Sequence, residues 1–259
     1  MMLSRALAAA GLLTVAAATE NMEFVTYNGQ IFTPGFAVLN APQPGTPLGG
    51  ETLHISLDVT ANGQLPLELE EDSSSRIHEI TVFLYSYETG RNFTVSNATD
   101  SDTVDGLGRV MAQEPGSTVK HINWVWPDCL VGNGQPNSDD SDRGAYNISI
   151  RQSFRLNGEE HYTIFDVPIS VTNSIEESED RPPCDILANE LLAPEDIDVQ
   201  EANAVGVFLA PDDATNIEFE YEEAQNDDNE NGLGSGATHL SRNWPVQLMP
   251  VAGVLFFAL

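Results

Sequence analysis

Between Tyr146 and Val171 the chain alternates apolar and polar residues on both sides of a short turn. Tyr146, Ile148, Ile150 and Phe154 fall on one side of an extended backbone, and Asn147, Ser149, Arg151 and Ser153 on the other. A period of two fits a β-strand with one buried face and does not fit a helix. Leu156-Asn157-Gly158-Glu159 follows, and Asn-Gly is the residue pair of a tight hairpin turn. Tyr162 to Val171 is therefore the return strand. Pro168 lies inside it and brings no N–H to a ladder, which predicts an edge position or a bulge.

The same reading extends upstream. In Thr52 to Val59, residues Leu53, Ile55, Leu57 and Val59 alternate with Thr52, His54, Ser56 and Asp58. Ile77 to Tyr85 is a β-rich run, and Thr118 to Trp126 places Ile122, Trp124 and Trp126 on one side. Short strands separated by Gly, Pro and Asn turns, with little helical periodicity, predict an all-β chain folded as an antiparallel β-sandwich, with a barrel as the competing closure. No internal repeat is present.

Beyond Ile175 the character changes. Glu176 to Pro183 is charged and contains proline, and reads as a linker. Cys184 to Leu192 reads as a short helix, and Val205 to Leu209 and Ile217 to Tyr221 as further strands. From Glu222 to Gly236 the chain is acidic and rich in Asn and Gly, the composition of a disordered stalk. The expected organisation is a signal peptide over 1–18, a sandwich over 22–175, an extension over 176–221, a stalk over 222–236 and a removable tail over 237–259.

The two ends carry that address. Arg5 precedes an apolar run from Ala6 to Ala18 that closes on three alanines, the order of a secretory signal peptide. At the other end, Gly234-Ser235-Gly236-Ala237, a polar spacer and the apolar run Trp244 to Leu259 follow the order that directs glycosylphosphatidylinositol (GPI) attachment. The apolar run reaches roughly 24 Å as a helix, short of a hydrocarbon core of about 30 Å. Gly234 or Ser235 is the expected attachment residue, with Asn231 as a further choice. The expected location is the extracellular face of the plasma membrane, or the cell wall.

Charge and cysteine content agree with that location. The chain has 40 acidic residues against 10 Lys and Arg, a formal charge of −30. None of the acids lies in either apolar end. Such a surface repels nucleic acid and anionic lipid. Cys129 and Cys184 are the only cysteines. In an oxidising compartment they are expected to pair, closing a loop worth about 4 kcal/mol in the chain-entropy model. Asn92-Phe-Thr94, Asn97-Ala-Thr99 and Asn147-Ile-Ser149 are N-glycosylation sequons.

The stretch from Ala41 through Pro42, Pro44, Gly45-Thr46-Pro47, Gly49-Gly50 and on to Ile55 resembles the opening of the immunoglobulin-like modules of fungal cell-wall proteins, the glucan-assembly proteins among them. Gly144-Ala145-Tyr146-Asn147-Ile148-Ser149-Ile150, followed by Tyr162-Thr163-Ile164, looks like their closing hairpin. Val119 to Leu130, with its Trp124-Val125-Trp126 core, looks like uncharacterised secreted proteins of filamentous fungi. The resemblance implies an immunoglobulin-like fold and a cell-surface setting, and it brings no catalytic residue. The Ser/Thr-rich stalk common in wall proteins is replaced here by the acidic segment.

Motifs for chemistry are sparse. No Gly-x-Ser-x-Gly elbow, His-Glu-x-x-His or Cys-x-x-Cys occurs. The expected mature start near Thr19 lacks the N-terminal His on which copper-dependent polysaccharide oxidases depend. Asn137 to Asp142 clusters carboxylates without the EF-hand spacing. Trp124, Trp126 and His121 form a candidate ligand surface if exposed, since indoles stack on sugar rings; buried, the indoles are core. The sequence thus predicts a non-enzymatic surface protein without cofactor, metal site or catalytic residue, acting in adhesion, wall organisation or ligand presentation. Its partners would be the lipid anchor and wall polysaccharide or surface proteins, not nucleic acid. The alternative is a carbohydrate-active enzyme or carbohydrate-binding module.

Overall fold

A computed structural model describes residues 25–67, 69–96, 110–114, 116–136, 138, 140–193, 210 and 213–220. Among the described residues, ten strands form two sheets. The first sheet holds β1 (Val25–Tyr27), β2 (Gln30–Phe32), β3 (Val38–Ala41), β5 (Thr52–Asp58) and β8 (Val119–Val125) in the order β1-β2-β3-β5-β8. The second holds β4 (Pro47–Leu48), β6 (Arg76–Ser86), β7 (Arg91–Thr94), β9 (Gly144–Leu156) and β10 (Glu159–Val171) in the order β4-β10-β9-β6-β7. Every pairing is antiparallel except that of β4 with β10. The all-β expectation holds, and the strand order is that of an immunoglobulin-like sandwich.

The chain leaves the first sheet at the end of β3, passes a cis Ala41–Pro42 bond and joins the second sheet at β4. Gly45 N–H donates to the Pro168 carbonyl at 2.7 Å, and Ser170 N–H donates to Thr46 at 3.1 Å. Pro168 thus sits where β10 has only a short partner on its outer side, so its missing N–H costs no ladder bond. Gly49 is required by contact: a Cβ there would lie 2.6 Å from the Asn173 backbone.

The hairpin between β9 and β10 turns at Asn157 (φ 51°) and Gly158 (φ 86°), the left-handed pair of a type I′ turn. β9 sends Tyr146, Ile148, Ile150, Gln152, Phe154 and Leu156 inward, all buried. Gln152 is the polar member of that row. Its Nε2 donates to Thr33 Oγ1 at 2.7 Å and its Oε1 accepts from Ala37 N–H at 2.8 Å, which ties the two sheets together through the interior. Tyr146, at the start of β9, donates its hydroxyl to the Asp142 carbonyl at 2.6 Å. That is the tyrosine-corner arrangement of immunoglobulin-like sandwiches.

Trp124 and Trp126 are 3% and 0% exposed. Their rings meet edge-on at 5.8 Å, Trp124 reaches Phe93 of the opposite sheet at 5.6 Å, and Trp126 Nε1 donates to Gly49 O at 3.2 Å. This corrects the candidate ligand surface, because neither indole is available to a sugar ring. Two further charged side chains are buried and donate to backbone carbonyls. Lys120 Nζ donates to Glu114 O at 3.0 Å, and the Arg143 guanidinium donates to the carbonyls of Leu130, Gly134 and Asn173. Burial pushes both pKa values down.

Cys129 and Cys184 form a disulfide with Cα atoms 5.9 Å apart across a separation of 55 residues. It joins the turn after β8 to the extension, whereas the usual immunoglobulin bridge joins the two sheets. The stretch read as a linker is folded back: Arg181 donates to Glu176 O at 2.6 Å and to Trp126 O at 3.0 Å. The expected helix over Cys184 to Leu192 shrinks to the single turn α1 (Cys184–Leu187). Ala188 then forms a bridge with Phe93, and Asn189 N–H donates to Asn92 O at 2.7 Å. Docking to the open edge of β7 satisfies backbone groups there, so the strap continues extended instead of helical. Residues 217–220 carry no assigned secondary structure, so the strand expected over Ile217 to Tyr221 is not seen among them. Ile217 and Phe219 lie on the core, and Glu218 N–H donates to Asn157 Oδ1 at 2.8 Å. The strand expected over Val205 to Leu209 lies outside the described residues, as do the expected signal peptide, stalk and tail.

Trp126→Ala should lower the unfolding free energy by about 3–5 kcal/mol in a urea titration; wild-type stability would place the indole outside the core. Cys129→Ser/Cys184→Ser should cost about 2–5 kcal/mol by the same measurement.

Candidate functional site: a polar and aromatic pocket on the outer face of the second sheet

The outward residues of the second sheet converge on one small cavity. β6 contributes Phe83 and Tyr85, and Tyr87 follows in its turn. β9 contributes Ser149 and Arg151, and β10 contributes Ile164 and Asp166. Register sets these neighbours: Ser149 stands opposite both Phe83 and Asp166, and Arg151 opposite Ile164. The strap forms the remaining wall with Asn189, Glu190, Leu191 and Leu192, beside Asn92 of β7. The cavity volume is about 220 Å³.

Hydrogen bonds hold the strap in place. Asn92 Nδ2 donates to Glu190 O at 3.0 Å, Asn189 Nδ2 donates to Thr94 Oγ1 at 3.0 Å, and the Tyr87 hydroxyl donates to Leu192 O at 3.3 Å. Upstream, the disulfide fixes Cys184, and Asp128 Oδ1 accepts from Cys184 N–H at 3.0 Å. The pocket wall is therefore anchored covalently to the turn after β8.

Inside, the Tyr85 hydroxyl donates to Asp166 Oδ2 at 2.8 Å. The Arg151 guanidinium lies over the Phe83 ring at 4.5 Å, and Tyr85 and Tyr87 meet edge-on at 5.3 Å. Three buried side-chain atoms have no protein partner: Ser149 Oγ, Arg151 Nε and Asp166 Oδ1. Ser149 is only 1% exposed. Burial, and then the Asp166 carboxylate, push the Tyr85 phenol well above the ordinary tyrosine range. The lining is a small set of polar side chains and aromatic rings, the mixture found in binding pockets.

A larger hollow of about 690 Å³ lies beside Glu51, Glu176, Glu177, Asp180 and Arg181. It has no aromatic wall and no buried orphan group, so its chemistry is that of an acidic surface groove.

The residues singled out in the sequence distribute as follows. His121 is partly exposed on the first sheet, where its ring stacks on His54 at 5.4 Å, far in the fold from the pocket. His54 Nδ1 in turn lies 2.8 Å from Asn123 Oδ1. Asp142 of the acidic loop accepts two bonds from Arg91, at 2.7 and 3.0 Å, so its carboxylate serves an ion pair. Asp128, Cys129 and Cys184 approach one another, but the two sulfurs are bonded together and offer no thiolate. Among the sequons, Asn147 faces outward between Tyr85 and Pro168, Asn92 is tied to the strap, and Asn97 lies outside the described residues. Gly234 and Ser235 also lie outside them. The pocket itself was not read from the sequence. Its one signal was a row of Phe, Tyr and Tyr at alternate positions from Phe83, on the face opposite Val82 and Leu84.

No protein family, no curated protein and no solved structure matches this chain.

The two buried phenols give a pH dependence. Tyr85 is raised, and burial pushes Tyr146 up to about 12. A phenol whose folded pKa is raised stabilises the fold fully below the unfolded value. That stability is lost as pH climbs above about 10, where the unfolded chain ionises first. The urea midpoint should fall above that pH, and Tyr85→Phe/Tyr146→Phe should flatten the fall; equal slopes in both proteins would contradict it.

Proposed function

We propose that this chain is a GPI-anchored, N-glycosylated protein of the extracellular face of a fungal cell, and that it works by binding, not by catalysis. Its contact surface is the outer face of the second sheet. The observation that carries the binding part is the cavity lined by Tyr85, Tyr87, Arg151 and Asp166 and walled by the strap. The setting rests on the sequence: the order of segments at both ends, the sequons, and the resemblance to wall-associated immunoglobulin-like modules. The disulfide is consistent with an oxidising compartment. Adhesion, wall organisation and ligand presentation all use such a surface.

Asn147 is the sequon best placed to carry a glycan. It projects from the same face, next to Tyr85. Asn92 is less suited, because its amide and the Thr94 hydroxyl are both engaged by the strap. Peptide mapping of protein secreted from a fungal host should find the glycan on Asn147 and unmodified Asn92; the reverse pattern would mean that the strap does not cover β7. Phosphatidylinositol-specific phospholipase C should release the protein from intact cells alongside a control GPI protein. Retention under those conditions would overturn the anchor.

A further inference from the structure

The outer face of the first sheet brings two imidazoles together. Leu53, Ile55 and Leu57 of β5, and Ile122 and Trp124 of β8, are buried, so parity sends His54, His121 and Asn123 to the other face. The antiparallel register sets His54 opposite Asn123 and Ser56 opposite His121. The two histidines are therefore diagonal neighbours, within reach of each other. His54 is exposed and His121 partly so, and their ring centroids lie 5.4 Å apart. Two imidazoles that share one tetrahedral ion, with Zn–N bonds of about 2.0–2.1 Å, have centroids about 5 Å apart.

Asn123 prepares one of the two rings. His54 Nδ1 lies 2.8 Å from Asn123 Oδ1. A carbonyl oxygen only accepts, so Nδ1 carries the proton and Nε2 keeps its lone pair. A hydrogen bond at the ring nitrogen remote from the metal is what orients metal-bound histidines. His121 needs only a turn about its Cβ–Cγ bond, a soft torsion. The surroundings suit a cation. Glu114 Oε2 accepts from His121 N–H at 2.9 Å, which sets a carboxylate beside the pair. Lys120, the adjacent cation, is buried and donates to Glu114 O at 3.0 Å. The formal charge of −30 adds long-range attraction. Calcium and magnesium favour oxygen ligands, whereas imidazole suits zinc, copper and nickel.

We propose that His54 and His121 form a surface site for a divalent transition-metal ion of the zinc or copper kind. Each histidine gives one ring nitrogen, Asn123 positions His54, and water fills the remaining coordination positions. The ion bridges β5 and β8, so it clips the last strand of the first sheet to its neighbour. Binding to the folded chain alone then raises its stability. The site belongs to the first sheet and does not depend on the recognition surface of the second.

The test uses the folded secreted protein, stripped of metal with a chelator. ZnCl₂ and CuCl₂ are the probes, and MgCl₂ and CaCl₂ the controls. Calorimetry should show saturable binding of the transition ions and weaker binding of the controls. His54→Ala and His121→Ala should each weaken zinc binding by more than about tenfold, and Asn123→Ala, which removes only the orienting bond, by about tenfold. Zinc should raise the urea midpoint of the parent and leave that of His54→Ala unchanged. Electron paramagnetic resonance of the copper complex should show coupling to two imidazole nitrogens in the parent and to one in either histidine variant. The proposal is overturned if neither transition ion binds saturably, or if calcium or magnesium binds as tightly. It is also overturned if the double variant His54→Ala/His121→Ala binds zinc like the parent, the result expected when surface carboxylates hold the ion.

Discussion

The register of β9 is the constraint on which both the core and the pocket depend. Its inward row, Tyr146 to Leu156, fills the space between the sheets, and its outward row carries Asn147, Ser149 and Arg151. A slip of one residue would turn every side chain to the other face and destroy both surfaces at once. Two features hold the register. The Asn157-Gly158 turn fixes how β9 pairs with β10, and Gln152 is held from the opposite sheet by Thr33 and Ala37. Gln152 is wholly buried, so a shifted register would leave its amide and its two partners unsatisfied. The polar contact therefore selects one arrangement that hydrophobic packing alone would leave less well defined.

The disulfide sets the second constraint. Without it, the segment after Cys184 would have to reach the open edge of β7 from a free chain, at the full cost of ordering. With Cys184 fixed, a single helical turn delivers Ala188 to Phe93, and the next residues follow the edge. The strap thereby covers an edge that would otherwise offer unpaired backbone groups to another chain. It also forms one wall of the cavity, so edge protection and site construction are served by the same residues. Buried charges elsewhere are met by the backbone: Lys120 donates its ammonium to the Glu114 carbonyl, and Arg143 binds three carbonyls through its terminal nitrogens.

Much of the fold was legible in the residues because period two reports the buried face directly. The strands at Thr52, Ile77, Thr118 and Tyr146, the Asn-Gly hairpin, the edge position of Pro168 and the Cys129–Cys184 bridge follow from local chemistry. Alternation also put Trp124 and Trp126 on one side. Parity alone does not say whether that side meets another sheet or solvent, and Phe93, distant in sequence, supplies the answer. The strap was misread as a helix because its conformation is decided by the edge of β7. The pocket was missed for a related reason. Its residues occupy outward strand positions, where Ser, Arg and Asp are ordinary solvent-facing choices, and only the pairing of β6, β9 and β10 brings them together.

A high-resolution crystal structure of the unliganded mature protein tests most directly whether this cavity is a binding site. The account predicts an open cavity holding ordered water between Tyr85, Tyr87, Arg151 and Asp166, with the strap standing clear of it. A strap settled into the cavity and leaving no space would contradict the account.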